Sequence, residues 1–212
     1  MKKNYKVLSL LFLLSIYTLS INAQEYDCED VNNKYRGDKN AWIVQDVDNP
    51  FSTSEISKFN GLFYYPVDCK YVFEGTLSPS PSLKVIKIPT TNGDCVQVYD
   101  YGRVSFKIDG ESYNLIVYKN IEQPEFGHTP ETLFIPFKDK TSGPKPKTTF
   151  ADGRYLIIQP PASGKTVTLD FNMATNPFEN YNGNYSTIDV PDQNVIMAPV
   201  PTGERKYEDR SD

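Results

Sequence analysis

The sequence predicts an all-β protein: a small antiparallel barrel-like or two-sheet sandwich domain of about eight strands, with a short N-terminal helical segment. Three observations predict it. Aromatic residues are abundant, with 15 Tyr and 12 Phe, and 16 Pro punctuate the 212-residue chain. That composition suits pleated, turn-rich structure better than helices. Short apolar runs alternate with period two. Turn signals recur at close intervals, and Asn92-Gly93 and Asp109-Gly110 are strong hairpin signals. Barrel-like closure is favoured over a sandwich because a long meander needs its edge strands covered.

The chain opens with MKKNYK, then VLSLLFLLSIYTLSI, then NAQEY. A basic start, an apolar run and a small-residue end at Ala23 read as a signal peptide over residues 1–23, cleaved before Gln24. The apolar run is shorter than the ~20 residues a membrane span needs, and no later run is longer. The expected location is extracytoplasmic, periplasmic or secreted, with no membrane span after cleavage. Charge is 22 basic against 27 acidic residues, 22 − 27 = −5. An acidic chain argues against nucleic acid and anionic lipid as partners.

Residues 24–50 form a polar, partly helical segment, in which Gly37 is expected to limit any long helix. Trp42 and Ile43 are its docking point. Residues 51–203 form a single β domain. Ser52-Thr53-Ser54-Glu55 has the form of a capping box. Strands are expected at 70–77, 83–88, 95–99, 104–108 and 112–119, with SPSPS and Asp100-Tyr101-Gly102 as turns between them. A loop with the single histidine, His128, leads to strands at 133–139, 153–159 and 166–172. Residues 194–198 are a candidate last strand, and residues 204–212 a solvated tail.

Cys28, Cys69 and Cys95 permit one disulfide in an oxidising compartment. All three pairings are open by composition. Cys28 with Cys69 or Cys95 is favoured over Cys69 with Cys95. The later two are expected on strands separated by another, about 10 Å apart, beyond the reach of a bridge.

FIPFKDKTSG, DGRYL, LDFN-x-A-x-NP and GERKY occur in that order, preceded by FNGLFYYPVDCKY and VSFKIDGESYNLIVYK. This ordered set resembles a bacterial and archaeal family, domain of unknown function 1684, across residues 51–207. The resemblance implies no assigned activity. That family pattern places a cysteine just after the Asn-Pro and another before a Pro-rich turn. Here Glu179 stands near the first position, and no cysteine follows Cys95.

Candidate site residues come from strand faces. Leu133, Ile135, Phe137 and Asp139 share a face; so do Arg154, Leu156 and Ile158, and Val167, Leu169 and Phe171. Asp139, Arg154 and Asp170 therefore sit near the ends of apolar strands, where a lone charge is costly unless paired. Arg154 is the natural partner, since its fork matches a carboxylate. With Asn172 and Asn176 these form the candidate polar cluster. Asp170, Asn172 and Asn176 lack the spacing of a calcium loop. No metal site and no cofactor is expected, and His128 lies outside the motifs, so a Ser-His-acid centre is disfavoured. The favoured reading is a non-catalytic module that binds a small molecule, a saccharide or a partner surface. The alternative is a carboxylate-dependent hydrolase acting on an extracytoplasmic substrate such as a glycan, with acids among Asp139, Asp170, Glu179 and Glu204. The sequence leaves the oligomeric state open.

Intact-mass measurement of the exported protein is expected to give a chain starting at Gln24; a mass that includes residues 1–23 contradicts the signal-peptide reading.

Overall fold

The computed structural model describes residues 26–121, 129, 131–145 and 147–207. The expected signal peptide, His128 and the last five residues of the expected tail lie outside the described residues. Seven strands are present: β1 (Val72–Pro89), β2 (Cys95–Ile108), β3 (Glu111–Asn120), β4 (Leu133–Asp139), β5 (Arg154–Ile158), β6 (Thr166–Asp170) and β7 (Val195–Ile196). Six of them follow the antiparallel path β5-β4-β3-β2-β1-β6, and β7 runs parallel to β4. Strands β5 and β6, the two ends of the path, touch, so the sheet curls into a half-barrel. The barrel-like form is the one observed; a two-sheet sandwich is not.

Both hairpin signals hold. Asp109 and Gly110 take positive φ angles of 50° and 88°, the left-handed pair that a two-residue turn requires. Their turn joins β2 to β3, and the Asn92-Gly93 turn joins β1 to β2.

The seven strands agree with the expected count of about eight, but the first four expected strands are two long ones. SPSPS and Asp100-Tyr101-Gly102 are not chain reversals but paired irregularities, where register shifts between Pro79 and Lys84 on β1 and between Asp100 and Gly102 toward β3. Proline has no N–H to give to a ladder and collects at such bulges. At Gly102, φ is 153° and an added Cβ would stand 2.3 Å from the Ser78 carbonyl oxygen, so only glycine lets the two backbones approach. At the other end of the sheet, Phe171–Met173 is a 3₁₀ turn rather than the end of a strand.

The interior is packed with side chains. Leu77, Val104, Leu115, Val117, Ile135, Phe137, Leu169 and Phe171 are all at most 1% exposed. Phe171 is the hub of the rings, meeting Phe137 at 5.2 Å and Phe106 at 5.7 Å between centroids.

The N-terminal segment is one helix, α1 (Cys28–Gln45), running through Gly37. Here tertiary packing outweighs the roughly 1 kcal/mol that glycine costs inside a helix. Asp27 caps it by accepting from the Asp30 N–H. Its buried residues are Cys28, Asn32, Lys39 and Ile43, a stripe that is half polar. Trp42 stacks near Phe178, at 6.0 Å, and Ile43 is fully buried, which makes them the docking point anticipated. A four-residue helix, α2 (Thr53–Ile56), carries the capping box in full.

Cys28 and Cys69 form a disulfide with Cα atoms 5.9 Å apart, tying α1 to the start of β1. The strand-order premise behind the favoured pairings is corrected. Cys69 precedes β1 and Cys95 opens the neighbouring β2 beside Pro89. What separates them is the length of β1, roughly 50 Å of extended chain. Cys95 is free and exposed.

The boundary expected at residue 204 is not a structural one. Glu204 is 0% exposed and Tyr207 packs on Phe51, so the solvated tail cannot begin there. Among the described residues, no helix is long and apolar enough to cross a membrane.

Candidate functional site

Arg154 opens β5 facing inward and is 0% exposed. Its Nη2 donates to Asp139 Oδ2 at 2.9 Å and to the Val200 carbonyl at 3.1 Å. Its Nη1 donates to the Thr202 carbonyl and, at 3.2 Å, to that of Glu204. One guanidinium thus holds three alternate carbonyls of the extended C-terminal segment. The other oxygen of Asp139 accepts from the N–H groups of Thr141 at 2.6 Å and Val200 at 3.2 Å. Burial pulls the arginine's pKa down from its ordinary value, and Asp139 beside it pulls the other way.

The clamped segment carries Glu204 into the interior. Its Oε1 lies 2.7 Å from Lys39 Nζ on α1 and accepts from the Tyr64 hydroxyl at 3.2 Å. Its Oε2 accepts from the Tyr181 hydroxyl at 2.5 Å and the Asn176 N–H at 2.8 Å. Lys39 also donates to Thr175 Oγ1 and to Tyr181 Oη, so its three N–H groups all have acceptors. Burial first, and the Glu204 charge second, push the Tyr64 and Tyr181 hydroxyls well above the ordinary tyrosine pKa.

Asp170 does not pair with Arg154. Its Oδ2 accepts from Asn32 Nδ2 on α1 at 2.7 Å and from the Tyr26 hydroxyl at 2.5 Å. Its Oδ1 accepts from the backbone N–H and side-chain amide of Asn172, both at 2.9 Å. Asn172 Oδ1 in turn takes the Asp68 N–H at 2.8 Å and the Thr202 hydroxyl. Asn176 donates its side-chain amide to the Arg205 carbonyl at 2.8 Å.

The five residues singled out by sequence therefore fall into two direct pairs, Asp139 with Arg154 and Asp170 with Asn172, while Asn176 joins through Glu204. The C-terminal segment links all of them. Lys39, Tyr64, Tyr181 and Asn32 were missed. Glu204 was weighed only as a free acid. The signal for it was present, since GERKY is one of the ordered motifs; Lys39 gave none beyond the 28, 32, 39, 43 spacing on a polar helix. Glu179 accepts from the Thr91 hydroxyl at 2.9 Å and so ties its own loop to the β1–β2 hairpin. The four acids considered for hydrolysis are each engaged by internal partners.

Beside this network lies a cleft of about 310 Å³. Phe51, Phe63, Tyr181 and Tyr207 give it aromatic walls, and Lys58 and Asn60 stand among its polar lining. The rings brace one another, Phe51 to Tyr207 at 5.2 Å and Tyr181 to Tyr207 at 5.9 Å. Tyr181 is shared: it lines the cleft and its hydroxyl serves Glu204. Neither this cleft nor an open groove over β1–β3 is lined by Asp139, Arg154 or Asp170.

A family model described as "Protein of unknown function (DUF1684)" matches residues 57–205. The chain belongs to the DUF1684 family. The matched span includes Arg154, Asp139, Asp170 and Glu204 and begins after Lys39. A solution NMR structure of an uncharacterized protein from gene locus rrnAC0354 of Haloarcula marismortui is similar, at 28% identity and a TM-score of 0.65. The similarity covers 87% of this DUF1684 chain and 96% of that one. No curated protein matches the chain.

Replacing Arg154 by alanine leaves Asp139 buried without its partner, and the expected loss is about 3–5 kcal/mol by chemical denaturation. Arg154→Lys keeps the charge but loses the fork, and is expected to fall between the parent and Arg154→Ala; an unchanged midpoint for Arg154→Ala contradicts the clamp.

A phenol whose pKa is raised by folding keeps its proton after the unfolded chain has released it. The contribution of Tyr64 and Tyr181 is therefore fully present below pH ~10 and lost as pH rises toward their folded values, each by about 1.4 kcal/mol per pH unit. Stability measured from pH 8 to 12 is expected to fall steeply above about pH 10, and less steeply in Tyr64→Phe and Tyr181→Phe, which have no phenolic proton to lose. Equal slopes in the parent and both variants contradict the buried hydroxyls.

Proposed function

We propose that this DUF1684 protein is an extracytoplasmic, non-catalytic module whose aromatic cleft binds a small ligand of the saccharide class. The single observation that carries the reading is the contrast between the two polar regions. The buried charges of Asp139, Arg154, Lys39 and Glu204 are consumed by internal partners, and neither Asp139 nor Arg154 lines the aromatic cleft. The neighbouring cleft is open and combines aromatic side chains with a polar rim. Aromatic rings offer large apolar contact area to a sugar face, and a few polar groups fix orientation through hydroxyls. The volume, about 310 Å³, is at the lower end for ligand sites and suits one or two sugar rings.

The Cys28–Cys69 disulfide supports the location, because such bonds persist in oxidising compartments. The signal-like start of the chain points the same way.

Titration calorimetry and thermal shift against neutral mono- and disaccharides test the proposal. The expected result is saturable binding with a rise in melting midpoint. Lys58→Ala at the exposed rim is expected to weaken it by about threefold and Tyr207→Ala by about tenfold or more, the latter equal to ~1.4 kcal/mol. Absence of binding across the panel, or binding indifferent to both substitutions, overturns the assignment.

A further inference from the structure

Among the described residues, the upper part of β1 is an edge strand with one side unpaired. On its other side it pairs with β2 from Lys84 through Pro89, while β6 accompanies it only from Val72 to Thr76. The last backbone bond on the β6 side is Leu77 N–H to the Lys165 carbonyl, at 2.7 Å. Beyond the top, the chain covers its own edge briefly. Residues Thr187 and Asp189 bond to Thr91 and Pro89, at 2.9 Å each, with Thr90 opposite Ile188 in antiparallel sense. Then Pro191 takes the chain away.

Which backbone groups face the opening follows from those bonds. The Pro89 carbonyl points away from β2, toward the Asp189 N–H. Backbone groups alternate in direction along an antiparallel strand. The N–H and C=O groups of Val85 and Lys87 therefore point to the open side. Side chains there are exposed: Leu83 and Val85 at 49% each, with Lys84 and Lys87 beside them. Lys84 and Lys87 put positive charge along this edge of a chain whose net charge is −5.

We propose that residues 83–88 of β1 are a docking edge for an extended acidic peptide strand of a partner protein. Main-chain bonds to Val85 and Lys87 provide affinity, as in other strand additions. Carboxylates opposite Lys84 and Lys87 provide selectivity through cross-strand pairs of opposite charge. The site is separate from the aromatic cleft and does not depend on it. The competing reading is that the lysines, with Pro79 and Pro81, merely guard the edge against aggregation.

The probe is a capped hexapeptide Thr-Glu-Val-Val-Glu-Thr, whose glutamates three apart lie on opposite faces of a strand as Lys84 and Lys87 do, with Thr-Lys-Val-Val-Lys-Thr as control. Binding is followed by NMR with amide hydrogen exchange on the intact mature protein. Protection of the Val85 and Lys87 amides by about tenfold or more is expected with the acidic peptide only. The double variant Lys84→Glu/Lys87→Glu is expected to invert the preference, and Val85→Pro, which removes only an outward N–H, to abolish binding. No protection at these amides with millimolar peptide, equal binding of both peptides, or shifts confined to the surroundings of Tyr207 overturns the proposal and leaves the lysines as guards.

Discussion

The Lys39–Glu204 pair is the contact on which the rest of the structure bears. Both side chains are almost wholly withdrawn from water, at 3% and 1% exposure. Desolvating two charges costs several kcal/mol per ion, and attraction repays it only where every remaining donor and acceptor is satisfied. That condition is met here through Tyr64, Tyr181, Thr175 and the Asn176 backbone. The pair joins the first helix to a residue close to the last one described, Tyr207. It is thus a long-range constraint: the buried stripe of α1 is half polar, and the pair adds a specific polar contact to the apolar docking of Trp42 and Ile43.

Arg154 makes the pair possible. Glu204 can face Lys39 only if residues 200–204 lie extended across the end of the half-barrel. Residues 63–65 pair with one side of that segment, where the Tyr65 N–H donates to the Gly203 carbonyl at 3.0 Å, and the buried carbonyls that point the other way need partners of their own. The guanidinium serves three, and Asp139 neutralises it while taking the Val200 N–H. The two ion pairs work in series, one fixing the backbone and the other using the side chain that the backbone presents. Tyr181 extends this order to the cleft wall, which places a rigid surface next to the open volume.

Local signals were legible wherever a residue's chemistry dictates its backbone. Asn92-Gly93 and Asp109-Gly110 marked their turns, Ser52 and Glu55 marked a capping box, and the alternation of Val167 and Leu169 marked a buried face. Pairing Arg154 with an acid followed from the cost of an isolated charge. Misreadings arose where a local signal has two structural outcomes. Proline and glycine at 79–81 and 102 fit a turn or a paired bulge equally well, and only the partner strand decides. Gly37 carries a helix penalty that α1 overcomes through the disulfide and buried contacts. Glu204 in a charged run looks solvated by composition, and its burial depends on Lys39, 165 positions earlier in the chain (204 − 39).

The most direct measurement is a double-mutant cycle on that pair, with Lys39→Met, Glu204→Gln and both together, followed by denaturation with Trp42 fluorescence for α1 and circular dichroism for the sheet. If the pair is the joint of the structure, each single variant loses about 3–5 kcal/mol and the double variant loses far less than their sum. The two probes should also report one transition in the parent. Additive losses, or a parent in which Trp42 reports melting before the sheet, contradict the account.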